Sequence, residues 1–222
     1  MNTKQTLAIF DLDNTLLAGD SDHAWGEFLI SKREVEAQKY QTINDGFYQD
    51  YINGSLDIQA YLRFVLASIK DRTPAQLAPL HDQFMAEIVA PMRLQKADEL
   101  LQRHRDKGDF LLIITATCDF ITRPIAEALG VDDILASTAE IVDGVYTGLP
   151  VGVPCFHEGK ITRLNQWLVG RNYDLSETSF YSDSHNDLPL LNKVGRPVAV
   201  DADAKLTRHA NDRGWETMSL RG

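Results

Sequence analysis

The chain has 222 residues, of which 44% are apolar and 24% charged, and its formal net charge is −10. The length supports one large domain or a core with a modest second lobe. The acidic balance, with no Lys/Arg cluster to offset it, excludes a nucleic-acid surface, and no apolar run approaches the roughly 20 residues that would span a bilayer.

The first element is Leu7-Ala8-Ile9-Phe10, a short apolar run that reads as a buried parallel strand. It delivers Asp11-Leu12-Asp13-Asn14-Thr15. In an open α/β sheet, ligands gather outside the carboxyl ends of the strands. Asp11 and Asp13 alternate onto one side of the chain. Two carboxylates that close repel unless a proton or a cation intervenes. The pair therefore asks for a hard cation with oxygen ligands, most simply Mg²⁺. Alone, the same stretch also suits an Asx-type turn that only caps backbone.

Residues 18–90 change character. Trp25, Phe28 and Leu29, and later Tyr61, Leu62, Val65, Leu66 and Ile69, recur at helical spacing. Asn53-Gly54-Ser55 breaks one helix and Thr73-Pro74 starts another. The segment reads as a helical cap lobe inserted after the first strand, with 1–17 and 91–222 forming the core. From Pro91 the chain returns to the core, with an amphipathic helix from Leu94 to Arg105 that stops near Gly108.

Phe110-Leu111-Leu112-Ile113-Ile114 is the strongest strand signal, ending at Thr115. A helix through Ile125 and Leu129 ends at Gly130. Ile134 to Ala136 reads as a short strand, Glu140 to Thr147 as a hairpin with an Asp-Gly turn, and Gly148 to His157 as a loop. Gly159-Lys160 opens a helix, and Thr178 to Ser182 is a strand that delivers Asp183-Ser184-His185-Asn186-Asp187. A short helix with Leu188, Leu190 and Leu191 follows. Pro197 to Val200 is a strand, Ala204 to Asp212 a helix, and Trp215 to Met218 an edge strand. Strands alternating with helices specify an α/β fold with a Rossmann-like parallel sheet.

Cys118 and Cys155 are the two cysteines. They are too few for a zinc site, and they read as reduced packing thiols in a cytoplasmic protein. The six histidines show no metal-ligand spacing.

Asp11-x-Asp13-x-Thr15, an apolar strand ending in Thr115, Lys160 at a helix start, and Asp183-x-x-x-Asp187 occur in that order. In these motifs the sequence resembles the haloacid dehalogenase superfamily of phosphatases. The inserted helical lobe, the Asp-Gly hairpin and the Glu158-Gly159-Lys160 approach resemble its phosphoserine-phosphatase-like branch. The resemblance implies a Mg²⁺-dependent phosphomonoester hydrolase acting on a small phosphorylated metabolite. Asp11 is then the nucleophile that forms an aspartyl-phosphate, and Asp13 the acid/base. The Asp11 carboxylate, the Asp13 carbonyl and Asp183 hold Mg²⁺. Thr115 and Lys160 hold phosphoryl oxygens. Asp187 orients Lys160 or a metal-bound water, and Asn186 contacts the phosphoryl group or its surroundings.

Two features bear on the substrate. Phosphoserine phosphatases carry Ser-Gly-Gly where this chain has Thr115-Ala116-Thr117, and a cap arginine where it has Val65. Arg63 is close in sequence but lies on another helix face. Asp20 falls where that branch binds the substrate ammonium. Asp20, Asp22 and Glu27, with His23 and Trp25, suit a cationic, aromatic substrate. The stretch from Asp11 to Leu29 also resembles the bacterial subgroup that acts as histidinol-phosphatase. Asp20, Asp22 and Trp25 are thus candidate substrate-binding residues, although an acidic helix N-terminus and a cap-core aromatic cluster account for the same residues. The alternatives are a phosphoserine phosphatase, a broad-specificity phosphatase, a phosphotransferase, and a non-catalytic phosphate-binding regulator.

Overall fold

The computed structural model describes residues 5–222; residues 1–4, the start of the first core segment, lie outside the described residues. The strands are β1 (Leu7–Phe10), β2 (Phe110–Cys118), β3 (Asp133–Val142), β4 (Val145–Val151), β5 (Ser179–Ser182), β6 (Arg196–Val200) and β7 (Glu216–Met218). They form one seven-stranded sheet ordered β4-β3-β2-β1-β5-β6-β7. All pairings are parallel except β3 with β4. After β1 the chain builds outward to β4, then returns to the other side of β1 with β5. The switch point lies at β1, so a crevice forms beyond its carboxyl end.

Between β1 and β2 lie α1 (Ser21–Ser31), α2 (Ala37–Asn53), α3 (Ile58–Ala67) and α4 (Pro74–Phe84); a π-helical turn (Met85–Val89), α5 (Ala90–Met92) and α6 (Gln95–Lys107) complete the segment. The remaining helices are α7 (Asp119–Leu129), α8 (Glu158–Leu168), α9 (Leu188–Leu191) and α10 (Ala204–Arg213). Their limits follow local chemistry. A capping box between Thr73 and Gln76 starts α4, and Gly54, Gly108, Gly130 and Gly214 close α2, α6, α7 and α10 in the left-handed conformation.

Period-two alternation divides the buried strand residues between two layers. Ala8, Phe10, Leu111 and Ile113 pack with α6, α7 and the aromatic residues of α1 and α4. Leu7, Ile9, Leu112 and Ile114 pack with α8, α9 and α10. Both faces of the sheet are covered, which is why its strands read as continuous apolar runs.

Two expectations are corrected at the far edge. β3 is not a short strand: it runs from Asp133 through Val142 and leaves the parallel sheet to pair with β4. The Gly148–His157 stretch is not all loop, because β4 continues to Val151. The extension is held from the helical segment. Leu62, Leu66 and Ile69 pack with Ala139, and Asp71 N and Tyr146 N each donate to the other segment's carbonyls, Tyr146 O and Arg72 O, at 2.9 Å.

Candidate active site

The register aligns the functional strand ends. Phe10 lies beside Ile113 of β2 and Tyr181 of β5, so Asp11, Thr115 and Asp183 all leave the sheet at one edge. A tight turn follows Asp11. Leu12 O accepts from Leu16 N at 2.9 Å and Leu17 N at 3.1 Å, and Asn14 takes a left-handed φ of 56°, which Asn tolerates better than most residues. The turn brings Asp13 back to the cleft.

Asp11 is 4% exposed, and its Oδ1 accepts from Lys160 Nζ at 3.0 Å. Lys160, in the first turn of α8, also donates to Asp187 Oδ2 at 2.8 Å. Ser182 Oγ donates to the same Asp187 oxygen at 2.7 Å. Burial works against the lysine's charge, but Asp11 and Asp187 outweigh it and hold Lys160 protonated. Burial pushes the Asp11 carboxyl up to about 7, with Lys160 pulling the other way. Asp13 Oδ1 accepts from Ser21 N at 2.7 Å, and its Oδ2 accepts from Thr117 Oγ1 at 2.8 Å. Burial, then the charge of Asp20, pushes Asp13 up to about 7. Thr115 Oγ1 is buried and accepts from Thr117 N at 3.2 Å.

Asp183 is held by Thr15. Thr15 Oγ1 donates to Asp183 Oδ1 at 3.1 Å and accepts from Asp183 N at 3.0 Å. Burial, then the charges of Asp11 and Asp187, raises Asp183 well above the carboxylate range. No group of three His, Cys, Asp or Glu side chains forms a metal cage among the described residues. The donors that fit a cation are two carboxylates, Asp11 and Asp183, and the Asp13 carbonyl. That oxygen-only set, with vacancies for water, suits Mg²⁺. Lys160 offsets one charge of the Asp11 and Asp187 pair it bridges, and Asp183 feels both of those carboxylates, which leaves negative charge for a divalent ion to balance.

A small cavity of about 40 Å³ lies at these strand ends, below the roughly 300–1,000 Å³ of open small-molecule sites. Asp11, Asp13, Thr115, Ala116 and Thr117 line it from the sheet, and Asp20, Asp22 and His23 from α1. Asn44, Phe47, Tyr48 and Tyr51 line it from α2, with Tyr61 opposite on α3. Asp20 caps α1, its Oδ1 accepting from Asp22 N and His23 N, both at 2.9 Å. The bland reading of Asp20 therefore holds alongside its place in the cleft. No Lys or Arg is among the lining residues. Val65 is buried in the core and Arg63 is exposed.

Two candidate residues do not line the cleft. Trp25 is not at the cleft. It is fully buried against Phe28, His81, Phe84 and Phe120, because its stripe on α1 packs onto α4 and α7. Asn186 joins α2 to the loop before α8. Its Nδ2 donates to Tyr51 O at 3.2 Å, and its Oδ1 accepts from His157 Nε2 at 2.9 Å. His185 pairs with Asp203 at 2.8 Å. Cys118 and Cys155 are buried free thiols, and burial pushes Cys155 up to about 12, far from nucleophilic use.

Sequence reasoning missed Ser21 and the α2 aromatics, and it read Thr117 only as part of the stretch that replaces Ser-Gly-Gly, not as a partner of Asp13. Thr117 stands two residues after Thr115, on the same side of β2. Asn44, Phe47, Tyr48 and Tyr51 are spaced i, i+3, i+4, i+7, the signature of a single helix face. Among the described residues no helix is long and apolar enough to cross a membrane.

A haloacid dehalogenase-like hydrolase family model matches residues 8–192. The chain is 46% identical over 221 residues to a histidinol-phosphatase of Neisseria meningitidis serogroup C, covering 98% of this chain and 100% of that protein. It is 35% identical to a phosphoserine phosphatase of Mycobacterium tuberculosis, covering 96% of this chain and 70% of that one. Among solved structures, a Bordetella pertussis protein of unknown function superposes with a TM-score of 0.91 at 39% identity, over 98% of this chain and 100% of its own. A phosphoserine phosphatase captured as a phospho-aspartyl intermediate analogue superposes with a TM-score of 0.71 at 19% identity, covering 99% of this chain and 95% of that one, a likeness of fold.

Proposed function

The chain belongs to the haloacid dehalogenase-like hydrolase family, and from that premise we propose that it is a Mg²⁺-dependent phosphomonoesterase whose substrate is L-histidinol phosphate. The observation that carries the substrate is the cleft wall: carboxylates and aromatic rings with no Lys or Arg among them, the nearby Lys160 being engaged by Asp11 and Asp187. Phosphoserine would bring an α-carboxylate into that wall without a partner and lose a charge-assisted pair, about 1.5–3 kcal/mol. Histidinol phosphate carries an ammonium and an imidazole and no carboxylate. The 46% identity to the Neisseria histidinol-phosphatase supports the same reading.

Asp11 attacks phosphorus, forming the Asp11–O–P bond as the P–O ester bond breaks. The leaving alkoxide takes the proton of Asp13, which burial lets it hold near neutral pH. Water then attacks the aspartyl-phosphate and returns a proton to Asp13, releasing inorganic phosphate. Ser21 N and the Thr117 hydroxyl fix Asp13 for both transfers. Thr115 and Lys160 hold phosphoryl oxygens. Bound Mg²⁺ supplies charge compensation and polarises the phosphoryl group. Residues 18–90 act as a cap over a core of 1–17 and 91–222. The two crossing strands lie side by side, with Leu17 bridged to Arg93 and Ala18 N donating to Met92 O at 2.8 Å.

The test is kcat/KM with Mg²⁺ for L-histidinol phosphate and L-phosphoserine side by side, with Asp11→Asn as the blank. A preference of tenfold or more for histidinol phosphate, about 1.4 kcal/mol, is expected. Equal or better turnover of phosphoserine refutes the substrate.

A further inference from the structure

We propose that Asp22, which lines the cleft together with Tyr61, binds the planar nitrogen heterocycle of the substrate and sets selectivity for a ring-bearing amino-alcohol phosphate. The proposal rests on the substrate reading above and assigns the part of the cleft that takes the ring.

Asp22 is 5% exposed, and its Oδ1 is shut off from water with no hydrogen-bond partner. Such an oxygen is costly to bury. Tyr61 lines the cleft with Asp22, and burial, then the Asp22 charge, holds the Tyr61 hydroxyl protonated. Thr117 is adjacent, but its hydroxyl donates to Asp13 Oδ2, and a hydroxyl has one proton to give. Nothing lining the cleft supplies a cation to Asp22. Unlike Asp20, whose carboxylate caps α1, Asp22 has no capping bond to explain it.

The surroundings match a ring. Tyr61 and Phe47 both line the cleft and meet edge to face, with centroids 5.2 Å apart, and Leu56 and Ile58 complete an apolar wall. An N–H of a protonated heterocycle would satisfy the open carboxylate oxygen while the ring lies against these faces.

The experiment compares kcat/KM for L-histidinol phosphate and O-phosphoethanolamine, which keeps the phosphate and the ammonium but has no ring. Wild-type enzyme should prefer histidinol phosphate, and Asp22→Asn should lower that preference at least tenfold. Tyr61→Phe, which removes only the hydroxyl, should lower it about threefold, and it carries the test if Asp22→Asn fails to fold. If the wild type shows the preference and the variants keep it, the assignment of Asp22 is overturned while the substrate reading stands. If the wild type itself shows no preference over phosphoethanolamine or phosphoserine, the substrate reading fails and this proposal with it.

Discussion

Replacing Lys160 by methionine removes a buried charge and leaves its two partners behind. Its Nζ lies 3.0 Å from Asp11 Oδ1 and 2.8 Å from Asp187 Oδ2, and the residue is 3% exposed. At an effective dielectric constant of about 20, each contact is worth roughly 5–6 kcal/mol before desolvation. Desolvation takes back several kcal/mol per ion, and measured losses on breaking such a pair are about 3–5 kcal/mol. For a chain of 222 residues, each kcal/mol shifts Tm by about 2–4 °C. Lys160→Met should therefore melt about 6–20 °C below wild type at pH 8 without divalent cations. The deficit should shrink in acid. Burial already holds the Asp11 carboxyl up at about 7, and loss of the lysine raises it further. A carboxyl whose folded pKa exceeds its ordinary 3.8 favours the folded state when protonated, so the variant recovers as pH falls from about 7 toward that value. Adding Asp187→Asn should restore part of the loss. Calorimetry at pH 8 and 5.5 decides. A Tm within about 2 °C of wild type at pH 8, or a larger deficit at pH 5.5, would refute the reasoning.

Asn186→Ala cuts the tie between α2 and the loop before α8, so KM should rise about three- to tenfold, up to about 1.4 kcal/mol, for histidinol phosphate and phosphoethanolamine alike; a change confined to one substrate would contradict it. His104 Nδ1 pairs with Asp109 Oδ2 at 2.6 Å and its Nε2 with the Tyr181 hydroxyl at 2.9 Å. Burial holds this histidine below its ordinary 6.5, so unfolding takes up a proton in acid, and the stability advantage of wild type over His104→Gln should shrink from pH 7 to pH 5 in thermal melts. A Cβ on Gly159 would stand 2.0 Å from the Pro154 carbonyl oxygen, so Gly159→Ala must shift the backbone just before Lys160; both Tm and kcat should fall, and an unchanged kcat would show that the helix start tolerates the shift. Chelation should abolish turnover while circular dichroism stays unchanged, because Thr15 and Lys160 hold Asp183 and Asp11 through protein contacts.

The side chains gathered at one edge of the sheet were legible because strand ends fix them. Apolar runs ending at Phe10, Ile114 and Ser182 place Asp11, Thr115 and Asp183 at one level once the strands pair in register. Lys160 was legible through its helix start after Gly159. The cap was legible only as helices. Trp25 and Asp22 both lie on α1, yet one packs against Phe84 and Phe120 while the other faces the cleft. Which face of α1 turns inward depends on α4 and α7, far along the chain, and composition near Asp20 carries no trace of it. The α2 stripe has the same ambiguity, since i, i+3, i+4, i+7 spacing identifies a face without saying whether it meets core or ligand. The bond of Thr117 to Asp13 was hidden for a different reason: the apolar run ends at Ile114, whereas β2 continues to Cys118 on irregular pairing with β3.

The two acids of α1 also differ in how much they can say about a ligand. Asp20 is explained by the helix it starts, since bonds to Asp22 N and His23 N would favour an acid there in any protein. Its presence in the cleft is compatible with every substrate considered. Asp22 sits in the first turn of α1, where an acid is favoured, but it makes no capping bond, and its buried open oxygen is costly without a partner. That cost points to a ligand rather than to the helix start. Substitution of Asp22 should accordingly raise Tm or leave it level while selectivity falls, the opposite of the coupled losses expected at Lys160 and Gly159.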